Sequence, residues 1–201
     1  DLLIGLQLTH SGRFSRPNRY DRPEPVILYH HPLLDRRVGV GADYPILQDS
    51  EIRRLEEDYV RTAQLARDCG FDFVDVKQCH GYLGHEFLSA HTRSGPYGGP
   101  LENRLRFFRE VAEGIRSAAP GLGIATRISA FDTVPHVPEP DRHPAGKLGP
   151  SIPEDYCGLL PYEYGFGMDP EQPLEIDLRE PLQMLDYLRS MDVNLINVTG
   201  G

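Results

Sequence analysis

The chain has 201 residues, enough for one domain or a generous part of one, and its 39% hydrophobic and 25% charged residues are ordinary for a globular protein. Its formal net charge of −9 excludes a general nucleic-acid surface and an anionic-membrane binder, both of which need clustered lysine and arginine. No run approaches the roughly 20 apolar residues of a membrane helix, and three widely spaced cysteines (Cys69, Cys79, Cys157) make neither a disulfide framework nor a zinc knuckle, so a reducing compartment, the cytoplasm, is expected.

The chain opens on Leu2-Leu3-Ile4-Gly5-Leu6-Gln7-Leu8, a near-continuous apolar run of the kind that forms a strand buried on both faces. A loop with Pro17, Pro23, Pro25, Pro32 and Pro45 fills a first insertion near 14–48. The spacing of Ile52, Leu55, Tyr59, Ala63 and Ala66 predicts a helix from about Ser50 to Cys69, capped at Asp49 or Ser50 and stopped by Gly70. Phe73–Lys77 reads as a second strand, followed by a short helical turn near Glu86–Ala90. Leu101, Leu105, Phe108, Ala112 and Ile115 predict one helix to Ala119, ended by Pro120, and Ile124–Ser129 is a third strand. Nine prolines between Asp132 and Glu175 predict an irregular second insertion, a lid or binding loop. Asp177 caps a last helix with Leu182, Leu185 and Leu188 on one face, and Asn194–Thr199 is a fourth strand.

Buried strands alternating with helical crossovers predict a parallel sheet, either open and doubly wound or part of a (β/α)8 barrel. A full barrel takes about 250 residues, and the sequence opens at Asp1, so a partial barrel is expected. In both architectures ligands sit beyond the carboxyl ends of the strands. Those positions carry Gln7 and His10, then Lys77, His80 and Tyr82, then Arg127, then Thr199 and Gly200. Such a set suits a polar, anionic, planar ligand, although polar residues also begin at strand ends for no functional reason. Lys77 and Arg127 stand among apolar neighbours, where an unpaired charge is costly, and this favours a site.

Several motifs here are recognisable. Gly5-Leu6-Gln7-Leu8-Thr9-His10-Ser11-Gly12-Arg13 and Gly70-Phe71-Asp72-Phe73-Val74-Asp75 resemble segments of the old yellow enzyme family of FMN-dependent oxidoreductases. The longest match is His80-Gly81-Tyr82-Leu83-Gly84-His85-Glu86-Phe87-Leu88-Ser89, followed by Arg93, Tyr97-Gly98-Gly99 and Glu102-Asn103-Arg104-Leu105-Arg106-Phe107. Ile124–Arg127 and Asp132-Thr133-Val134 are most similar to the trimethylamine dehydrogenase and dienoyl-CoA reductase branch. The resemblance covers nearly the whole chain outside the two insertions. It implies an α/β fold, a (β/α)8 TIM barrel of which residues 1–201 supply roughly strands three to six, with insertions near 14–48 and 132–175.

The resemblance also implies roles. Gln7 and Arg127 would bind FMN, with the guanidinium opposite the ring edge where negative charge gathers on reduction. Lys77 and His80 would lie beneath the substrate carbonyl, although Lys77 departs from the family's usual His, Asn or Tyr. Tyr82 would be the proton donor. The structural alternatives are a buried ion pair for Arg127, a salt bridge for Lys77 and a core tyrosine for Tyr82. Cys79, His80, His85 and His91 lack the spacing of a metal set. Arg104 and Arg106 read as ion-pairing residues that fix their helix, and Tyr156, Tyr162, Tyr164 and Phe166 as an aromatic wall or as loop packing. The implied activity is hydride transfer from NAD(P)H through flavin to an electron-poor alkene or similar small molecule, with no nucleic-acid or membrane partner and with self-association into a homo-oligomer left open. The alternatives are oxidation of a small amine by a multidomain flavoprotein, with any iron–sulfur cluster C-terminal to this region, and a flavin-binding protein without turnover.

Overall fold

A computed structural model describes residues 2–140, 142 and 147–200. Its centre is a parallel sheet of β1 (Gly5–Leu8), β2 (Phe73–Gln78), β3 (Gly123–Ser129) and, in the last position, a strand at Leu195–Thr199. Between the third and last of these strands, β4 (His136–Pro138) and β5 (Ser151–Pro153) form an antiparallel ribbon, so the last is β6. The sheet order is β1-β2-β3-β6, every neighbour parallel and in chain order. A doubly wound sheet reverses direction at a switch point. No switch point falls within these four strands, as in the wall of a barrel.

The helices are α1 (Leu34–Val38), α2 (Asp49–Asp68), α3 (Leu83–Leu88), α4 (Leu101–Arg104), α5 (Arg106–Ala118) and α6 (Arg179–Ser190). Side chains alternate along a strand, and on one face Leu8, Val74, Val76 and Ile128 pack into a core with Ile52, Tyr59 and Ala63 of α2, Phe107, Val111 and Ile115 of α5, and Met184 and Leu188 of α6. The opposite face carries Gln7, Asp75, Lys77, Arg127 and Asn197, and none of them belongs to that core. One sheet face is therefore apolar and covered, the other polar and open. No helix of the described residues is long and apolar enough to cross a membrane.

Several elements differ in detail from their sequence reading. The first strand begins at Gly5, and Leu2, Leu3 and Ile4 are 83%, 67% and 52% exposed, because β1 is an edge strand with no neighbour on its outer side among the described residues. The cap of α2 is Gln48, whose backbone N–H donates to Glu51 Oε2 at 2.7 Å, since the Asp49 carboxylate accepts from Arg93 Nη2 at 2.8 Å. The predicted single helix to Ala119 is divided at Leu105, although its i→i−4 bonds continue (Leu105 N to Leu101 O 2.9 Å, Arg109 N to Leu105 O 3.1 Å). The short turn lies at Leu83–Leu88 rather than at Glu86–Ala90. In α6, Asp177 Oδ1 does accept from Arg179 N at 3.0 Å, but the buried stripe is Pro181, Met184 and Leu188, so Leu182 faces solvent. The second insertion is partly ordered by the β4–β5 ribbon; its residues 141 and 143–146 lie outside the described set.

Candidate functional site

The open face of the sheet assembles the polar residues by register. Gln7 lies opposite Asp75, Lys77 opposite Arg127, and Arg127 opposite Asn197. Gln7 Nε2 donates to Asp75 Oδ2 at 2.7 Å. Asp75 was not among the residues singled out from sequence. Its signal was there, because it shares the alternation phase of Lys77 in Phe73-Val74-Asp75-Val76-Lys77. Asp75 Oδ1 and Arg127 Nε are both buried without a hydrogen-bond partner among the described residues.

The loop after β2 brings His80 and Tyr82 to the same end. Lys77 Nζ sits 3.5 Å from the centroid of the Tyr82 ring, a cation–π contact. His80 adopts a left-handed backbone (φ 61°), uncommon outside glycine, and its N–H donates to Ser129 Oγ at the end of β3 at 3.2 Å. Partial burial, then the charges of Lys77 and Arg127, hold the His80 imidazole below its ordinary pKa, which places these three groups in one field and keeps His80 neutral at pH 7. His10 at the end of β1 is likewise lowered by burial, and its Nδ1 accepts the Gly12 N–H at 3.0 Å.

Two glycines of the long motif permit this closeness. A Cβ on Gly84 would lie 2.2 Å from the Lys77 carbonyl oxygen, so α3 can dock onto the end of β2 only without a side chain there. Gly12 has φ 56°, a Cβ on it would lie 2.8 Å from Leu83 N, and Leu83 N itself donates to His10 O at 3.1 Å. The first and second strand ends are thereby stitched together.

The other charged motif residues are scaffolding. Arg13, fully buried, binds Glu86 Oε1 at 2.7 Å, the Tyr29 carbonyl at 3.0 Å and the Asp35 carboxylate. Arg93 Nη1 donates to Leu28 O at 2.9 Å, while Arg104 donates to Gly99 O at 2.7 Å, to Leu88 O and to Glu180. Arg104 thus fixes its helix as expected, whereas Arg106 does so through the Pro96 carbonyl at 2.8 Å with only a long 3.9 Å approach to Glu110. Asp132 accepts from Ser89 Oγ at 2.7 Å and Phe166 N at 2.8 Å, anchoring the second insertion.

The tyrosines of that insertion hold loops down. Tyr162 OH is 3.3 Å from His31 Nε2, and the rings of His31, Tyr162 and Tyr164 meet edge-on or tilted with centroids 5.4–6.2 Å apart, joining the second insertion to the first. Burial pushes His31 down to about 3, so its neutral Nδ1 accepts the N–H groups of Leu33 and Leu34. Phe166 is buried in the main core.

Comparison with known proteins accords with this geometry. The sequence model of the NADH:flavin oxidoreductase / NADH oxidase family matches residues 1–139, running through the first insertion and ending inside the second, so the resemblance stops short of β6. The NADPH dehydrogenase of Bacillus subtilis is 29% identical over 131 residues, 64% of this chain and 36% of that protein. Among solved structures, histamine dehydrogenase from Rhizobium sp. 4-9 superimposes with a TM-score of 0.51 at 31% identity, covering 63% of this chain and 20% of that one. Morphinone reductase in complex with tetrahydroNAD gives 0.51 at 30% identity, covering 64% and 39%. The chain spans about a third of the length of the curated relatives it matches. With four strands advancing in one direction, a matching family model and the motif glycines at the contacts they permit, the chain belongs to the NADH:flavin oxidoreductase / NADH oxidase family, the old yellow enzymes, and folds as part of their (β/α)8 barrel.

Proposed function

We propose that the chain contributes to the catalytic barrel of an FMN-dependent oxidoreductase that takes hydride from NAD(P)H and passes it to an electron-poor alkene or similar small acceptor. The observation that carries this reading is Arg127, a cation on the open sheet face whose buried Nε has no partner among the described residues. A buried guanidinium N–H without a partner is costly unless an acceptor completes it. The reduced ring of a flavin meets that need, and Gln7, three strands' width of polar face and the strand-end position fit the same group. Bound FMN would supply a two-electron hydride carrier.

The chain's own groups have distinct tasks in this reading. Arg127 compensates the charge of the reduced ring, and the side-chain amide of Gln7 orients it. Lys77 Nζ and the neutral His80 ring donate hydrogen bonds to the acceptor's carbonyl oxygen. Tyr82 Oη holds the proton that goes to the carbon beside that carbonyl. The Lys77 ammonium on the Tyr82 ring face ties the two groups to one geometry.

The test is Arg127→Met in the flavin-loaded protein. A lower flavin potential and slower reduction by nicotinamide are expected, and an unchanged potential overturns the role of Arg127. The likeness to histamine dehydrogenase supports a second reading, oxidation of a small amine. Two cations at the strand ends, Lys77 and Arg127, repel an ammonium substrate and favour the acceptor reading. Anaerobic mixing separates these readings from each other and from a flavoprotein without turnover: bleaching by NAD(P)H, by amine, or by neither.

A further inference from the structure

The turn that carries His80 and Tyr82 is held by a side chain to which the proposed chemistry gives no task. His80 and Gly81 both have left-handed backbones, φ 61° and 65°, and such a pair persists only where its surroundings fix it. Successive N–H groups are fixed here. His80 N donates to Ser129 Oγ at 3.2 Å, Gly81 N to His85 Nδ1 at 2.9 Å, and Tyr82 N to Cys79 O at 3.3 Å. His85 is 2% exposed and stands on α3, which is pinned by Gly84 against the Lys77 carbonyl and by Glu86 on Arg13. Because Nδ1 accepts, the ring proton sits on Nε2. That Nε2 lies 3.3 Å from Asp132 Oδ1, off hydrogen-bond angle and with no other partner among the described residues. Asp132 is itself clamped to the second insertion: Oδ2 accepts from Phe166 N at 2.8 Å and from Ser89 Oγ at 2.7 Å, and Asp132 N donates to Phe166 O at 2.7 Å.

We propose that His85 is the positioning residue of the His80–Tyr82 turn and that Asp132 selects the imidazole tautomer on which it depends. The second insertion and the site then share one chain of contacts. The inference rests on the reading of His80 and Tyr82 given above and goes beyond it in naming what aims them. Gly81 stands between the two, so a shift of its backbone moves both side chains. His85 passes on no proton, because Nδ1 is taken by the Gly81 N–H and Nε2 is turned to Asp132. The carboxylate matters because it only accepts. With an amide at position 132, the Phe166 N–H, which only donates, would keep the oxygen in the place of Oδ2 and leave the NH2 facing His85. Nε2 would then have to accept, the ring proton would move to Nδ1, and Nδ1 would oppose the Gly81 N–H.

The experiment compares the parent with His85→Leu, His85→Asn and Asp132→Asn, all loaded with FMN, by stopped-flow half-reactions and by amide hydrogen exchange. His85→Leu removes the acceptor. It is expected to slow flavin reoxidation by an enone about tenfold or more, to keep reduction by NAD(P)H within about twofold, and to speed exchange at Gly81. His85→Asn puts an acceptor oxygen where Nδ1 stood and should restore both reoxidation and protection, whereas Asp132→Asn should reproduce the losses of His85→Leu. Parent-like reoxidation and exchange in His85→Leu, an equal loss in both half-reactions, or a loss that His85→Asn does not restore overturns the proposal. Where His85→Leu does not fold, Asp132→Asn decides, and parent-like behaviour there overturns it. A parent protein that no enone reoxidises is a different failure, that of the flavin reading, and exchange at Gly81 then decides on His85 alone.

Discussion

Gln7 and Asp75, 68 residues apart in the chain and opposite each other in β1 and β2, share a hydrogen bond of 2.7 Å from Nε2 to Oδ2. An ionised carboxylate only accepts, so the Gln7 amide must turn its NH2 toward Asp75 and its carbonyl oxygen away, toward the open face. Asp75 therefore decides which half of the amide a ring bound there would meet. Asp75→Leu should free the amide to rotate and weaken FMN binding about three- to tenfold, the worth of one hydrogen bond of roughly 1 kcal/mol. Quenching of FMN fluorescence measures this, and unchanged affinity with normal folding removes Asp75 from the site.

Tyr82 and His80 should separate by step. In the proposed reading neither contacts the flavin, so reduction by NAD(P)H should stay near the parent rate in both variants. Tyr82→Phe keeps the ring on which Lys77 rests and removes the proton, so phenolic ligands should still bind while alkene reduction falls. If His80 donates to the developing oxyanion as proposed, His80→Ala should cost about a hundredfold in flavin reoxidation by an enone. Stopped-flow reoxidation by enone, with oxygen as the control oxidant, gives both numbers. Wild-type enone reduction by Tyr82→Phe across pH would end its assignment as proton donor.

A titration far from the site should appear in stability. Glu56 on α2 is buried beside Tyr97, its Oε1 has no hydrogen-bond partner among the described residues, and burial together with the Glu110 charge pushes its pKa up to about 7 against opposing help from Tyr97, Arg53 and Arg106. The folded state therefore holds a proton that the unfolded state releases near pH 4.5. Stability should fall as pH rises from about 4.5 to about 7 and then level off, the sign for an acid whose folded pKa is raised. Glu56→Gln keeps the shape and cancels the cost, so it should stabilise the protein at pH 8 by on the order of 2 kcal/mol and leave it nearly unchanged at pH 5. Thermal melts at the two pH values decide; an equal shift at both rules out titration of Glu56.

Residues 1–201 produced alone should associate. Among the described residues both outer strands of the sheet, β1 and β6, lack a partner on one side, and exposed Leu2, Leu3, Ile4, Leu195 and Val198 lie at those edges. Open parallel edges flanked by apolar side chains invite pairing between chains. Light scattering is expected to show oligomers or aggregate, and a monodisperse monomer with a cooperative melt would contradict it.

The local pattern of residues was enough for the four parallel strands, the long helix through Ile52, Tyr59 and Ala63, and the family itself, because each rests on short-range periodicity or on a contiguous motif such as His80–Ser89. Strand-end polarity was also sufficient to place Gln7, Lys77 and Arg127 on a common side, since side-chain alternation in a parallel sheet makes them share a face. What only the tertiary structure decided was partnership. The cap of α2 moved to Gln48 because Asp49 is drawn to Arg93, 44 residues away; Tyr162 and Tyr164 pack on His31; and α6 turns Leu182 outward because Pro181, Met184 and Leu188 occupy its core side. Gln7 acquired Asp75, and Lys77 acquired the Tyr82 ring. Periodicity reports which face a residue takes, but which group stands across from it depends on strands and loops folded from distant sequence, and a side chain's charge balance is settled only there.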